Sequence, residues 1–552
     1  MMRITRLRLF ITCNLVFLLY SLHYFVPVPK LFLSMIINLM MFFLPGICWI
    51  SFFNNKIVDI VSYLFLVICI SLATMISGCM FFYITKITLC SVNMLVFLLL
   101  LSNVGIFLSK PFLEVPQVTF NKIRLVNKMR LVELLLLSIL LYTVLSGSAL
   151  RIVPPLEDHD SETQGTAYGL MHKLEPYMVT NRYAVYFFAH PLLLHFYIGN
   201  SFLLLDELDE VSYYYDSALE GEKTVDKTNE RELLDKIWKR DFQNFVANPH
   251  LLATRMSNLF FCVLIFYVLF LFLYSSTESY LLSLSGPVLY FTFPEVFVRS
   301  SYGSYMAIEN FSFLMIAYLF FFKDRLEFNK KYNNTLFLMC GIFGGLASQK
   351  VLIAVFAMGI LDFNCHDGNF WEKIRASLKN RIVQGVILGT ILFWGYGFLV
   401  DSKVFIEDYL KQHMVYRFRL DDVRFTFSNK IWYPSIVDLW KEFNGHLGFP
   451  FLFVALPLTV YTLFHIKRRE SFFGLWFVAG AVLFSITDWR QTKHLMLIIL
   501  PLIIAMIFHI SKSRRWVKIA YTGMILFLVY NNISVILKIA GDFSTISPTP
   551  IW

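Results

Sequence analysis

The sequence predicts an all-α, polytopic membrane protein with about 15 transmembrane helices and a large outer loop that carries interfacial helices. Of 552 residues, 57% are hydrophobic and only 16% are charged, whereas soluble domains average roughly 45–50% and about 25%. The apolar residues recur in continuous runs of about 17–25 residues, the length that a helix needs to cross a membrane. Barrel strands would instead alternate apolar and polar residues in segments of about ten.

Continuous apolar runs give the candidate spans. They are 9–26, 31–53, 57–83, 90–108, 131–150, 250–273, 279–298, 303–322, 334–349, 350–363, 381–400, 449–466, 471–487, 494–510 and 517–537. The first run follows Arg3, Arg6 and Arg8 as in a signal peptide. It is long and no small-residue cleavage site follows it, so we expect a retained first span.

Basic residues set the predicted orientation, because Lys and Arg are retained on the cytoplasmic side of a membrane. With the N-terminus cytoplasmic, the basic clusters fall inside, and the large loop and the C-terminus fall outside. These clusters are 122–130, 323–331, 373–381, 467–469 and 512–518. The net charge of +10 therefore indicates membrane topology and not a nucleic-acid partner. Composition typical of an AT-rich genome favours a bacterial inner (plasma) membrane.

The spans divide the chain into two modules and two outer segments. Residues 1–110 form a four-span N-terminal module, and 125–537 form the main membrane module. Residues 151–249 and 401–448 are the outer loops. The stretch 184–205 is apolar enough to span, but a crossing there would invert the charge bias, so we expect an interfacial helix. None of the eight cysteines lies in the large loop, which argues against a disulfide framework or a zinc site.

Acidic residues follow the fifth span directly. Four carboxylates lie within 157–162, among them Asp158 and Asp160. A carboxylate at a membrane exit can accept a proton from an attacking hydroxyl, as a general base does. A solvated acidic loop is the alternative, but Gly165 and Tyr168 favour a close-packed turn into a short helix.

Basic residues at predicted span ends are candidates for binding an anion. His190 precedes Pro191 at a predicted helix start, where it is placed to meet an anion. Arg299, Arg490 and Lys493 lie at the predicted outer face, and Lys350 lies between two short spans. A broken or re-entrant helix would bury Lys350. The alternative for such residues is that they extend to the lipid headgroups.

The order of these motifs resembles the GT-C superfamily of membrane glycosyltransferases, in the branch of protein O-mannosyltransferases and the lipid A aminoarabinose transferase. The resemblance covers about residues 125–515. The matching segments are Asp158-His159-Asp160-Ser161-Glu162, His190-Pro191-Leu192, Arg255-Met256-Ser257, Arg299-Ser300-Ser301-Tyr302 through Glu309, Gly344-Gly345-Leu346-Ala347-Ser348-Gln349-Lys350, and Asp488-Trp489-Arg490-Gln491-Thr492-Lys493-His494 before a span with Pro501.

The resemblance implies a GT-C-like fold and an inverting transfer of a hexose or pentose from a polyprenyl-phosphate donor to a protein, glycolipid or glycan acceptor. It implies Asp160 or Asp158 as the general base. It also implies a set of substrate-binding residues, namely Glu162, His190, Arg299, Glu309, Lys350, Arg490 and Lys493. Histidine stands where the family has lysine, so phosphate binding at His190 would depend on pH.

No cofactor is expected from the resemblance. The acidic motif could hold a divalent metal, because carboxylates suit magnesium or manganese, but this branch of the family does not imply one. The partners expected are membrane lipid, the lipid-linked donor and the acceptor, with no nucleic acid.

Two other classes of membrane protein stay open. A transporter or flippase of lipid-linked sugars would show paired repeats and charges near mid-membrane; no convincing repeat is present, and most charges lie at span ends. A polysaccharide polymerase or ligase would share the many spans and the large outer loop. The acidic motif directly after a span favours the glycosyltransferase.

Overall fold

The fold is a bundle of twenty described α-helices with three short strand pairs. The computed structural model describes residues 2–53, 59–109, 112–115, 119–120, 123–124, 128–151, 158–174, 177–180, 183–186, 191–208, 251–301, 305–323, 330–365, 367–406, 409–410, 441, 445, 447–465, 468–486 and 492–546.

The helices are numbered in chain order. They are α1 (Arg6–Ser21), α2 (Lys30–Phe42), α3 (Leu44–Phe53), α4 (Ile60–Thr85), α5 (Ser91–Leu108), α6 (Lys128–Arg151), α7 (Asp158–Lys173), α8 (Leu193–Leu204), α9 (Leu251–Thr277), α10 (Tyr280–Thr292), α11 (Pro294–Ser300), α12 (Met306–Phe321), α13 (Lys330–Ala347), α14 (Leu352–Cys365), α15 (Phe370–Leu378), α16 (Arg381–Val404), α17 (Phe449–Leu463), α18 (Ser471–Ile486), α19 (Thr492–Ser511) and α20 (Arg515–Ile546). The antiparallel strand pairs are β1 (Met2–Thr5) with β2 (Phe112–Val115), β3 (Thr119–Phe120) with β4 (Ile123–Arg124), and β5 (Tyr177–Thr180) with β6 (Tyr183–Tyr186).

The predicted all-α membrane fold class is confirmed, since the three strand pairs are only two to four residues long. Within the described residues, 7 helices are long and apolar enough to cross a membrane, and the bent pair α10–α11 would make an eighth. Seven shorter apolar helices accompany them. Each predicted span coincides with one of these helices or with the bent pair, except 350–363, which coincides with the separate helix α14. The number of helices that cross the bilayer stays a prediction.

Two helices form the centre of the bundle. Helix α12 is buried along almost its whole length, and α9 is buried over most of its length. Helices α1, α5, α16 and α20 instead carry exposed apolar side chains such as Leu18, Phe107, Leu399 and Phe527. Such apolar surface indicates contact with lipid.

Glycines bring α13 and α16 into close contact. Gly341 and Gly345 on α13 face Gly385 and Gly389 on α16, each pair spaced as in G-x-x-x-G. A Cβ at Gly341 would lie 2.2 Å from the carbonyl oxygen of Ile382. Small residues at this spacing let membrane helices approach backbone to backbone.

Two predicted elements differ from the structure. The stretch 184–205 is not one helix, because Tyr183–Tyr186 pairs with Tyr177–Thr180 as a hairpin and α8 begins only at Leu193. Pro191 lies two residues before α8, whose N-cap is Leu192. The predicted span 279–298 is bent by 74° between α10 and α11. Here Phe293 is extended and Pro294 opens the second helix, as expected for a residue before proline.

Candidate active site

The acidic helix α7 is fixed by close packing against α8. Thr166 and Ala167 of α7 are fully buried. Gly199 of α8 comes so close that a Cβ there would lie 2.7 Å from Cγ of Met171 and 3.0 Å from the carbonyl oxygen of Ala167. Helix α8 is itself buried over its whole length. The backbone of α7 therefore has a rigid support.

The predicted acidic motif lies at the start of α7. Asp158 is the first residue of this helix, and Asp160 and Glu162 follow within its first five. Carboxylates are favourable at a helix N-terminus, where the helix dipole is positive. The predicted turn into a short helix is confirmed, although the helix includes the motif itself. The side chains of these three residues, and all of His190, lie outside the described residues.

The first turns of α9 carry a buried polar cluster. Arg255 is fully buried. Ser257 lies 2.9 Å from Ser201 of α8, Oγ to Oγ, and the amide of Asn258 donates to the carbonyl oxygen of Ser300, at 3.0 Å. These hydrogen bonds join α8, α9 and α11 at one end of the bundle.

The bend between α10 and α11 presents Arg299 at the same end. Its Nε donates to the carboxylate of Glu295 at 2.7 Å, four residues earlier on α11. Both side chains are largely buried, with 18% and 15% of their surface exposed. The carboxylate balances the guanidinium and holds it in one place.

A second ion pair joins α12 to the break between α13 and α14. Nζ of Lys350 lies 3.2 and 3.1 Å from the two carboxylate oxygens of Glu309, and the Ser348 hydroxyl donates to one of them at 2.7 Å. Only 6% and 1% of the two charged side chains is exposed. The lysine also lies 4.9 Å above the ring of Tyr305.

Local sequence explains why Lys350 is buried there. Helix α13 ends at Ala347, and Ser348 is extended, so the chain leaves the helix before the short 3₁₀ turn Gln349–Val351. Oγ of Ser348 caps this turn by accepting from the Lys350 N–H at 3.2 Å. The helix is interrupted at this point, and the predicted burial of Lys350 at a break is confirmed.

The arrangement is a polar layer at one end of an apolar bundle. It contains the buried Arg255 and the ion pairs Glu295–Arg299 and Glu309–Lys350. Helix α7 contacts α9, the helix that carries Arg255. Ionisable residues buried in a membrane protein are costly and commonly mark a functional site. Paired cations of this kind can hold an anionic group next to a carboxylate base.

Of the predicted site residues, the structure brings Glu309 and Lys350 into contact. Arg299 pairs within its own helix. Arg490 lies outside the described residues, as does the side chain of Lys493 in the first turn of α19. The predictions missed Glu295 and Ser348 as partners. Glu295 stands four residues before Arg299, a helical spacing that indicates such a pair.

The described side chains contain no group of three His, Cys, Asp or Glu that could hold a metal. The carboxylates of Asp158, Asp160 and Glu162 are not among them. A divalent metal at the acidic motif therefore stays a hypothesis.

Comparison with known proteins gives distant structural similarity. No protein-family model and no curated protein matches the chain. The crystal structure of ArnT from Cupriavidus metallidurans bound to undecaprenyl phosphate is similar, with 12% identity and a TM-score of 0.47 over 75% of this chain and 72% of that chain. The apo ArnT structure gives the same identity and TM-score over 72% and 62%. Similarity of this extent assigns neither a family nor an activity.

Proposed function

We propose that the chain is a GT-C type glycosyltransferase, which moves a hexose or pentose from a polyprenyl-phosphate donor to an acceptor at the outer face of the membrane. The observation that carries the proposal is the buried Glu309–Lys350 pair. It joins the segments 299–309 and 344–350, each of which resembles a motif of this superfamily. Arg255 is a further buried basic group, and α7, which begins with the acidic motif, contacts the helix that carries it.

The proposed reaction is a single displacement. Asp160, or Asp158, accepts the proton of the acceptor hydroxyl as its oxygen attacks the anomeric carbon of the donor sugar. The bond from that carbon to the phosphate oxygen breaks, and the lipid phosphate leaves with the electron pair. Cationic groups stabilise the negative charge on this leaving group. Arg299 and Lys350 supply two of them, and His190, Arg490 and Lys493 are the further candidates.

The ion pairs give these cations a fixed position. Because Glu309 holds Lys350 and Glu295 holds Arg299, neither cation has to be ordered when the donor arrives. Preorganised charge of this kind stabilises a transition state more than mobile charge does. In this role Glu309 acts as a positioning residue through Lys350, while Glu162 would bind substrate from α7.

The test is transfer of radiolabelled sugar in membranes from a panel of polyprenyl-phosphate sugars. We expect one donor to be consumed by the wild type, and Asp160→Asn or Asp158→Asn to lower transfer by about 10²–10⁴-fold, the contribution of a general base. Asp367→Asn, which changes an exposed loop carboxylate, is the control and should retain activity.

Expression and elution in a single symmetric peak from size-exclusion chromatography show that each variant folds. If no donor is consumed, or if both aspartate variants transfer at the wild-type rate, the acidic motif is not the catalytic centre. A transporter of lipid-linked sugars then becomes the better hypothesis.

A further inference from the structure

An apolar groove lies between α17, α19 and α20, next to the basic cluster 512–518. Its volume is about 440 Å³. Its walls are formed by Val454, Leu458, Ile510, Val517, Ala520 and Met524. The groove opens to the outside of the bundle, since Ala520 is exposed. Its dimensions and walls suit a hydrocarbon chain.

One end of this groove is polar. His509 and Ser513 line it, at the turn that joins α19 to α20. The Tyr521 hydroxyl, also in the lining, lies 3.2 Å from the Ser285 hydroxyl and is thereby occupied within the fold. A chain that fills the groove would therefore carry its polar group to the α19–α20 turn.

Basic side chains surround that turn. Arg514 and Arg515 are exposed and, within the described part of the chain, have no acidic partner. Lys512 differs, because it pairs with Glu470 at 3.3 Å and lies over the ring of Phe508. The two arginines are thus placed to meet an anionic group, and the exposed ring of Trp516 beside them is typical of a membrane interface.

We propose that this groove binds one anionic phospholipid from the leaflet at the basic face, with an acyl chain between α17 and α20 and the phosphate at Arg514 and Arg515. Guanidinium groups match phosphate oxygens in pairs, and basic pockets between membrane helices recognise anionic headgroups. The site is separate from the polar layer around Glu309 and does not rest on the proposed transfer activity.

The test is native mass spectrometry of the full chain in detergent, titrated with dioleoylphosphatidylglycerol or dioleoylphosphatidylcholine. We expect a one-to-one adduct with the anionic lipid, at least 10-fold tighter than with the zwitterionic one. Arg514→Ala/Arg515→Ala should weaken it by about 30-fold, since each basic residue near an anionic surface contributes about fivefold.

Two further variants distinguish specific binding of the lipid in the groove from a general attraction of anionic lipid to basic residues. Arg375→Ala/Lys379→Ala removes two exposed charges elsewhere on the predicted basic face and should leave the adduct unchanged. Ala520→Trp fills the groove with all charges intact and should abolish the adduct. Equal binding of both lipids, equal losses in the two charge variants, or an adduct that survives Ala520→Trp would overturn the proposal.

Discussion

Lys350 and Glu309 lie in a part of the bundle where a charged group has little water to solvate it. Burying each ion costs several kcal/mol, and the attraction between the two offsets this only when the geometry is good. The contacts here are good, because both carboxylate oxygens face Nζ and Ser348 donates to one of them. A pair of apolar residues could give similar stability, so the charges indicate a function that needs them.

Removal of one charged partner should therefore destabilise the protein more than removal of both. Lys350→Met leaves the Glu309 carboxylate buried without its cation, and we expect a loss of about 3–5 kcal/mol of stability. Glu309→Gln/Lys350→Met removes both charges and should recover most of the loss in the thermal unfolding midpoint. Sugar transfer should be absent from both variants.

The recovered stability makes the double variant informative about activity. Ser348→Ala is the control for a lost neutral partner, with an expected cost of about 1–3 kcal/mol. A double variant that folds and also transfers sugar at the wild-type rate would show that the pair has only a structural role.

The sequence predicted which residues at this site are charged, and predicted that Lys350 would be buried. It did not predict the pairing, because Glu309 and Lys350 are 41 residues apart and only the packing of α12 against α13 brings them together. The two aspartates of α7 remain alternatives. A helical register places residues 158 and 160 on different sides of α7, which is why one variant is expected to lose more activity than the other.

Among the elements, α13 has the greatest influence on the position of Lys350, because this helix ends three residues before it. The backbone of α13 is set by its close approach to α16. A Cβ at Gly385 would lie 2.2 Å from the carbonyl oxygen of Leu338, well inside van der Waals contact. Any side chain at this position has to push the two helices apart.

Substitutions in α16 test this packing. Gly385→Ala should lower the thermal unfolding midpoint and reduce transfer, because the shift of α13 is passed to Lys350. Gly395→Ala in the same helix meets nothing within 4 Å. It should be neutral or stabilise by about 0.5–1 kcal/mol, the usual gain on replacing a helical glycine. Equal effects of the two substitutions would contradict a role for the close approach.

The elements themselves were largely predictable, because a continuous apolar run can only be satisfied as a helix in lipid. The contact of α13 with α16 also has a signal in the sequence, because the G-x-x-x-G spacing at 341–345 and 385–389 indicates a helix contact. The bend at Pro294 and the hairpin at 177–186 were not predicted. Apolar composition favours a continuous helix at both places. Pro294 interrupts the first, and the pairing of Tyr177–Thr180 with Tyr183–Tyr186 replaces the start of the second.

At the scale of the whole molecule, contacts join residues that the sequence placed on the same side of the membrane. The Tyr318 hydroxyl donates to Asp59 at 2.7 Å, and both were predicted near the cytoplasmic side. Lys30 and Glu207, both predicted outside, form an ion pair at 2.6 Å. The order of crossings is thus internally consistent, while the absolute orientation stays a prediction.

The predicted N-terminal module, residues 1–110, has several of its contacts with the rest of the chain at the end of α8. Three residues of this module contact either the last residue of α8 or the residues just after it. The Tyr20 hydroxyl donates to the carbonyl oxygen of Leu204, Ser91 donates to Asp206, and Lys30 pairs with Glu207. We call these three contacts the clamp. Because α7 packs against α8, we expect the clamp to help position the acidic motif.

Charge reversal at the clamp tests that role. Lys30→Glu places a second carboxylate beside Glu207, of which only 5% is exposed. We expect a lower thermal unfolding midpoint and slower transfer. The loss should lie near the lower end of the ~1.5–3 kcal/mol range for a charged hydrogen bond, because 58% of the Lys30 side chain is exposed.

The reciprocal exchange Lys30→Glu/Glu207→Lys should recover much of both losses, since it restores an ion pair with the opposite sense. Lys86→Glu is the matched control, because it makes the same charge change at an exposed lysine on the predicted outer side of the same predicted module. A purely local surface effect predicts that Lys30→Glu and Lys86→Glu behave alike. A clamp that positions α8, and through it the acidic helix, predicts a loss of transfer only at Lys30 and its recovery by the exchange.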